Sequence, residues 1–223
     1  SCSHPNLQAI PQRGDLARFL RECFLAEEDF ILASFDYSQM ELRLIAYFSK
    51  DSLMLKSFKE GKDIHQLTAS LLFDKKETEV KTEERRIGKT VNFAVLYGTT
   101  PYGLANLLGC SFEEASFFIE EFFAAFPKIK TFIEEKREEI LNKGYSETYF
   151  GRKRFFSDLR SKNQKLVESN LRMAVSHVFQ GTAADIIKMA MVDLDRKGLI
   201  NENCRLLLTI HDELIFEIRQ EDK

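Results

Sequence analysis

The chain has 223 residues, 44% of them hydrophobic and 30% charged, with a formal net charge of −3. That length can bury a substantial core in one domain or two, and no apolar run approaches the roughly 20 residues of a membrane helix, so no membrane partner is expected. The four cysteines (Cys2, Cys23, Cys110, Cys204) form no CxxC pair, which argues against structural zinc and for buried free thiols in a reducing compartment. The small negative charge announces no nucleic acid in bulk, yet net charge averages over faces and leaves room for a local basic surface.

The start, "SCSHPNLQAI", has neither an initiator Met nor a basic-then-apolar signal pattern. The end, "RQEDK", follows an apolar strand. The expectation is a segment of a longer protein. Residues 1–14, with Pro5, Pro11 and Gly14, read as an extended lead-in. "FILASFDYSQ" is an apolar strand ending on Asp36, and "MELRLIAYFSKD" then takes helical spacing with Leu42, Ile45 and Ala46 on one face.

From Ser52 to Asn142 the text is almost wholly helical: two short helices broken at Gly61, and a long one from about Thr82 stopped at Gly98. Another starts at Ser111 with Glu114 as a capping box, and Pro127 breaks or kinks it before "KIKTFIEEKREEIL" continues. Its phenylalanines (Phe112, Phe117, Phe118, Phe122, Phe123, Phe126) are read as packing. "YSETYFGRKRFF" alternates like a short hairpin, and a helix runs from about Lys165 to Arg196. "LLLTIHDELIFEI" closes the chain as a hairpin whose turn lies at or near His211-Asp212-Glu213. Strands at both ends with helices between them predict an α+β fold, in which terminal strands join one sheet around a helical insertion.

Four constellations could carry chemistry. Asp36 ends the first strand and Asp212 sits in the last hairpin. If the strands are neighbours, the two carboxylates meet, and adjacent anions call for hard divalent cations. A helix-capping Asp36 and a merely polar turn account for the same residues. Arg85, Lys89, Phe93 and Tyr97 recur every four residues and share one helix face. Cations followed by rings suit a triphosphate, sugar and base, and a solvated charged turn leading into a buried aromatic end suits them as well. "FGRKRFFSDLRSKNQK" sets six cations against Asp158, as a nucleic-acid backbone or a solvated loop would want. Arg172, Ser176 and Gln180 form a polar stripe on an otherwise apolar helix, for which a bound duplex or internal hydrogen bonds are equal accounts. Among the histidines, His65 lies near a helix start and His211 beside the acids.

Taken in order and spacing, "DYSQMELR", "RRIGKTVNFAVLYG", "QGTAADIIK" and "HDELIFE" resemble motifs A, B and C, with the intervening helix, of the family A DNA polymerases. "SCSHPNLQAIPQR" resembles that family's primer-template segment. The resemblance implies an antiparallel palm sheet made by the terminal strands with a helical fingers subdomain inserted: palm at 1–51 and 161–223, fingers at 52–160. It implies Asp36 and Asp212 as ligands of two Mg²⁺ ions, with Glu213 in support and Lys89 in the catalytic set. Gln39, His65, Arg85 and Lys89 would serve the triphosphate, Glu41 would exclude a 2′-hydroxyl, Phe93 would lie against the incoming sugar, and Tyr97 near the templating base. Asn6, Gln8, Arg172, Gln180 and His211 would touch primer-template DNA. The implied activity is template-directed transfer of dNTPs to a primer 3′-hydroxyl. Thumb and any exonuclease domains would belong to the rest of the parent chain, and the location is cytoplasmic (nucleoid) if the source is bacterial, with an organellar or phage origin left open. A single-subunit RNA polymerase and a non-catalytic DNA-binding relative are the rivals. Ser176 stands where the family usually has Asn, Ala94 where it has Gly and Ala9 where it has Asn. Gly88 lies inside a helix, at a cost of roughly 1 kcal/mol relative to Ala.

Overall fold

The computed structural model describes residues 14–222, and in it strands from the two ends of the chain pair in one antiparallel sheet. The strands are β1 (Phe30–Asp36), β4 (Cys204–Ile210) and β5 (Glu213–Arg219), in the order β1-β5-β4. Two further strands, β2 (Tyr145–Glu147) and β3 (Lys153–Phe155), form a separate hairpin. The fold is α+β. Among the described residues the chain divides into two compact units, 14–38 with 184–222 and 39–183.

In the first unit the β1/β5 register runs from Phe30 opposite Arg219 to Asp36 opposite Glu213. Because side chains alternate, Phe35, Leu214 and Phe216 share one face, and Phe35 meets Phe216 edge-on with centroids 5.6 Å apart. A groove of about 830 Å³ runs along this face, lined also by Ile218 and by Ala190 and Leu194 from the end of α9 (Gln164–Arg196). A β-bulge between Leu206 and Leu208 shifts the β4 register, so that Leu208 stands opposite Ile215. At the end remote from the turn, the Phe30 ring lies under the Arg205 and Arg219 guanidiniums, at 4.5 and 5.1 Å. Buried Glu217 accepts from Arg205 (3.3 Å) and from the Glu27 N–H (2.9 Å). The sequence does not announce α1 (Asp15–Glu22): its apolar residues Leu16, Phe19 and Leu20 are exposed, and only Ala17 is buried.

The second unit carries α2 (Met40–Ser49), α3 (Ser52–Lys59), α4 (Ile64–Leu72), α5 (Thr82–Leu96), α6 (Pro101–Leu108), α7 (Phe112–Ala125), α8 (Pro127–Lys143), the β2/β3 hairpin and the first part of α9. Local chemistry sets these boundaries. Asp51 and Asp63 accept the first free N–H groups of α3 and α4. Gly61, at φ 69°, separates those two helices. Ser111 and Glu114 close the capping box of α7, and Pro127 starts α8. The core joins Leu42, Ile45, Met54, Ile64, Leu104, Phe126, Ile129 and Phe179.

Two expectations need correction. Among the described residues Cys23 is exposed and Cys110 and Cys204 are half-buried, Cys110 packing against the core from the end of α6, so none of these three thiols is fully buried; Cys2 lies outside the described residues. Phe118, Phe122 and Phe126 are packed, but Phe112 and Phe117 stay about half exposed (52% and 50%), Phe112 at the first position of α7 and Phe117 on the side away from the buried stripe. Among the described residues no helix is long and apolar enough to cross a membrane.

Candidate active site

The predicted site residues fall into two groups, one in each unit. In the first, the hairpin turn between β4 and β5 is only two residues long, His211-Asp212, since Ile210 already pairs with Glu213. Tight hairpin turns need positive φ at the first central position, usually met by Gly. Here His211 takes it, at φ 56°, a conformation that costs a non-glycine residue about 1 kcal/mol or more. Strand pairing holds it there: the Tyr37 N–H donates to the Asp212 carbonyl (3.1 Å), joining the end of β1 to the turn.

This register sets Asp36 directly across from Glu213, and like charges directly opposite repel. The Ser34 hydroxyl, two residues before Asp36 on the same face, donates to the Glu213 carboxylate in a short hydrogen bond. Partial burial pushes the Asp36 carboxyl above its ordinary range, and the charges of Asp212 and then Glu213 push it further. Asp36, Asp212 and Glu213 are therefore one electrostatic cluster. Among the described residues no group of three or more His, Cys, Asp or Glu side chains meets in a ligand arrangement. Of the three acids, Glu213 is turned to Ser34, which leaves Asp36 and Asp212 as the carboxylates that could hold a cation. That matches a hard cation which takes one or two carboxylates and completes its sphere with water and phosphate oxygens.

In the second unit, α5 buries Gly88, Val91, Asn92 and Val95 and presents Arg85, Lys89, Phe93 and Tyr97 on the opposite stripe. Phe93 and Tyr97 stack with centroids 6.1 Å apart, and the Lys89 Nζ lies 6.0 Å from the Phe93 ring. Gly88 is where α5 meets α4: a Cβ there would lie 2.4 Å from the His65 carbonyl oxygen and 2.9 Å from the Ala69 nitrogen. The helix-propensity cost of this glycine is thus the condition for close packing.

Arg85 is held by Asp63, with Nε and Nη2 each 2.7 Å from Oδ2. Burial pushes the Asp63 carboxyl up, but the Arg85 hydrogen bond and charge, with N–H donors from Gln66 and His65, outweigh it and hold it below its ordinary value. His65 is buried and hydrogen-bonded to Asn92 (3.0 Å). Burial lowers its pKa, Asp63 opposes, and the Arg85 and Lys89 charges lower it further, to about 4. The imidazole is neutral at pH 7.

The Tyr97 hydroxyl donates to Glu41 at 2.8 Å, so two predicted site residues 56 positions apart are joined. Gln39 precedes α2 with φ 55°. On α9, Gln180 is exposed, and the Ser176 hydroxyl donates to the Leu96 carbonyl (3.2 Å) at the end of α5. Arg172 lies against Gly98, where a Cβ would be 2.9 Å from its Cγ. In the basic segment, Arg152 donates to the Gly181 carbonyl (2.8 Å), and Lys153 and Arg154 cover the Tyr145 and Phe156 rings at 4.8 and 5.0 Å. Asn6 and Gln8 lie outside the described residues. Asp63, Asn92 and Ser34 each hold a predicted residue, yet the sequence reading passes over them. Only Asp63, an Asp just before an apolar helical run, carried a signal, as an N-cap.

The acid cluster on the terminal-strand sheet and the cation-and-ring stripe on α5 are the two groups of side chains that the motif resemblance expects of a polymerase. Comparison with known proteins makes the class definite. The model of DNA polymerase family A matches residues 1–223, and the chain belongs to that family. It is 44% identical to the thermostable DNA polymerase I of Thermus aquaticus over 221 residues, 99% of this chain and 26% of that protein. With DNA polymerase I of Deinococcus radiodurans the identity is 45% over 217 residues, 97% of this chain and 23% of that one. Among solved structures, the POL domain of Pol1 from M. smegmatis, described as a complex with DNA primer-template and dNTP, superimposes with a TM-score of 0.92 at 36% identity. The match covers 99% of this chain and 39% of that one. The chain thus spans about a quarter of the length of the curated relatives it matches.

Proposed function

We propose that this chain is the nucleotide-adding part of a template-directed DNA polymerase, joining dNTPs to a primer 3′-hydroxyl with release of pyrophosphate. The observation that carries the reading is the acid cluster, in which partial burial and then the charges of Asp212 and Glu213 push Asp36 up across a paired strand edge. Family membership supports it, as does the primer-template and dNTP named for the M. smegmatis relative. In this reading residues 1–51 and 161–223 are the palm and 52–160 the fingers. Thumb and any exonuclease belong to the remaining three quarters of a relative-sized protein, acting on DNA in the cytoplasm.

Asp36 and Asp212 would hold two Mg²⁺ ions, with Glu213 in support. Bound there, the ions supply Lewis acidity and charge neutralisation for phosphoryl transfer. The chain's own groups do the rest. Arg85, braced by Asp63, and Lys89 neutralise the charge that grows on the departing phosphates. His65 and Gln39 hold the triphosphate, and Phe93 packs on the sugar. Glu41, anchored by the Tyr97 hydroxyl, fills the room a 2′-hydroxyl would need. Arg172, Gln180 and His211, with Asn6 and Gln8, serve the primer-template duplex.

The test is primer extension by the intact polymerase carrying Asp36→Asn or Asp212→Asn. Single-turnover incorporation is expected to fall by about 10³-fold or more, roughly 4 kcal/mol, with dNTP preferred over rNTP in the unmodified protein. Extension within tenfold of wild type by both variants would sink the metal reading. Preference for rNTP would point to the RNA polymerase rival.

A further inference from the structure

A neutral histidine can help an anion only through the ring nitrogen that carries its proton; the other nitrogen presents a lone pair and repels. The proposed triphosphate role of His65 therefore depends on which tautomer the fold selects.

The fold holds a relay that makes this choice. The Thr68 hydroxyl, one turn further along α4, donates to Asn92 Oδ1 at 2.9 Å. With Oδ1 taken, the amide turns its Nδ2 to His65 Nδ1, 3.0 Å away. An amide N–H can meet that ring nitrogen only if the nitrogen is an acceptor, so the proton sits on Nε2. All three groups are buried: Asn92 is 0%, Thr68 1% and His65 4% exposed. An unmatched donor or acceptor there would cost its full desolvation. Gly88 allows the close approach, since any side chain on it would strike the His65 carbonyl.

We infer that Thr68 and Asn92 are positioning residues that lock His65 as a neutral Nε2–H donor for a phosphate oxygen of the incoming nucleotide. This rests on the proposed triphosphate role of His65. The charged groups around the ring agree: Arg85 and Lys89 on α5 disfavour an imidazolium, and Asp63, the acid that would favour one, is engaged by Arg85. Two cations supply the charge, and the histidine supplies a directed hydrogen bond that stays the same across neutral pH. An imidazolium would add a third charge but lose that constancy.

Two readings on the intact polymerase test this. The first labels histidine with ¹⁵N, assigns His65 by its loss in His65→Gln, and reads the tautomer from long-range ¹⁵N–¹H correlations. Wild type is expected to show Nε2 protonated and Nδ1 bare. Thr68→Val, which keeps shape but removes the hydroxyl, is expected to give a tautomer mixture, and Thr68→Ser to restore the wild-type pattern. The second reading is steady-state incorporation. Thr68→Val is expected to raise the KM for dNTP roughly 3- to 10-fold, the effect of one hydrogen bond, with kcat within about twofold, and Thr68→Ser to bring it back.

A protonated Nδ1 in wild type, or an unchanged tautomer in Thr68→Val, would overturn the relay. A tautomer that responds as expected, while neither Thr68→Val nor His65→Gln changes the KM for dNTP, would instead remove His65 from the triphosphate site, and the inference with it.

Discussion

The acid edge and the cation face of α5 treat charge in opposite ways. On the sheet, like charges are stacked: Asp36 faces Glu213 and feels Asp212, and the neutral Ser34 hydroxyl donates to Glu213. On the helices, charge is balanced as it is assembled: Arg85 is tied to Asp63, and His65 is kept neutral by burial. The first arrangement stores repulsion that a bound cation would relieve. The second is settled without a ligand, and its geometry is set in advance. A backbone ladder suits the first because it holds strained, repelling groups rigidly. Helix packing suits the second because it aims long side chains from one face.

The largest test of this contrast is at Lys89. If the helix face supplies charge that matters only as phosphate departs, Lys89→Ala in the intact polymerase should lower the single-turnover rate about 10²- to 10³-fold while changing dNTP affinity much less. A loss confined to affinity would make the helix a passive holder. Next comes Gly88→Ala. Helix propensity alone forecasts a gain of about 1 kcal/mol, but the 2.4 Å approach to the His65 carbonyl forecasts a net loss of roughly 2 kcal/mol through overpacking. Urea unfolding distinguishes the signs, and a gain would mean that α4 and α5 are not held this close.

Acid titration separates the two regions in direction. For His65 the folded pKa of about 4 lies below the ordinary 6.5. The stability it contributes is complete above about pH 6.5 and is lost as pH falls toward 4, by up to about 3 kcal/mol. His65→Gln should flatten that part of the pH–stability curve; an unchanged slope would locate the acid sensitivity elsewhere. Asp36 has the opposite sign. Its carboxyl is raised, so its favourable contribution is present below 3.8 and lost as pH rises through the shifted value. At neutral pH and with divalent cations chelated, Asp36→Asn should therefore raise Tm, by about 1–2 °C. A lower Tm would mean the edge is not self-repelling.

Much of this was legible because it is local. Asp36 at a strand end, the Ser111/Glu114 box, the break at Gly61 and the closing hairpin each follow from neighbours within a few residues. The terminal strands could be paired because both were apolar and the text between them was helical. What stayed hidden depends on distance along the chain. Nothing near Asn92 shows that it meets His65, 27 residues away, or that Asp63 will hold Arg85, 22 residues away. Gly88 reads as a defect until α4 lies against it, and the bulge at Leu206/Leu208 leaves no mark on an unbroken apolar run. Periodicity assigns a residue to a face; it does not name what the face will touch.

The pairing of Asp36 with Glu213 has a consequence for how this protein can change over generations. Side chains in β1 alternate, so losing or gaining one residue between Phe30 and Asp36 would exchange the acid for Phe35 on the working face and turn the whole strand inside out. Point replacements in that strand can be graded in effect, but a single-codon deletion is all or nothing. β4 already carries an irregular residue at its bulge, and there the ladder resumes correct pairing before the turn. Length variation in relatives is therefore expected to collect on the β4 side of the hairpin, with the distance from Phe30 to Asp36 fixed to the residue.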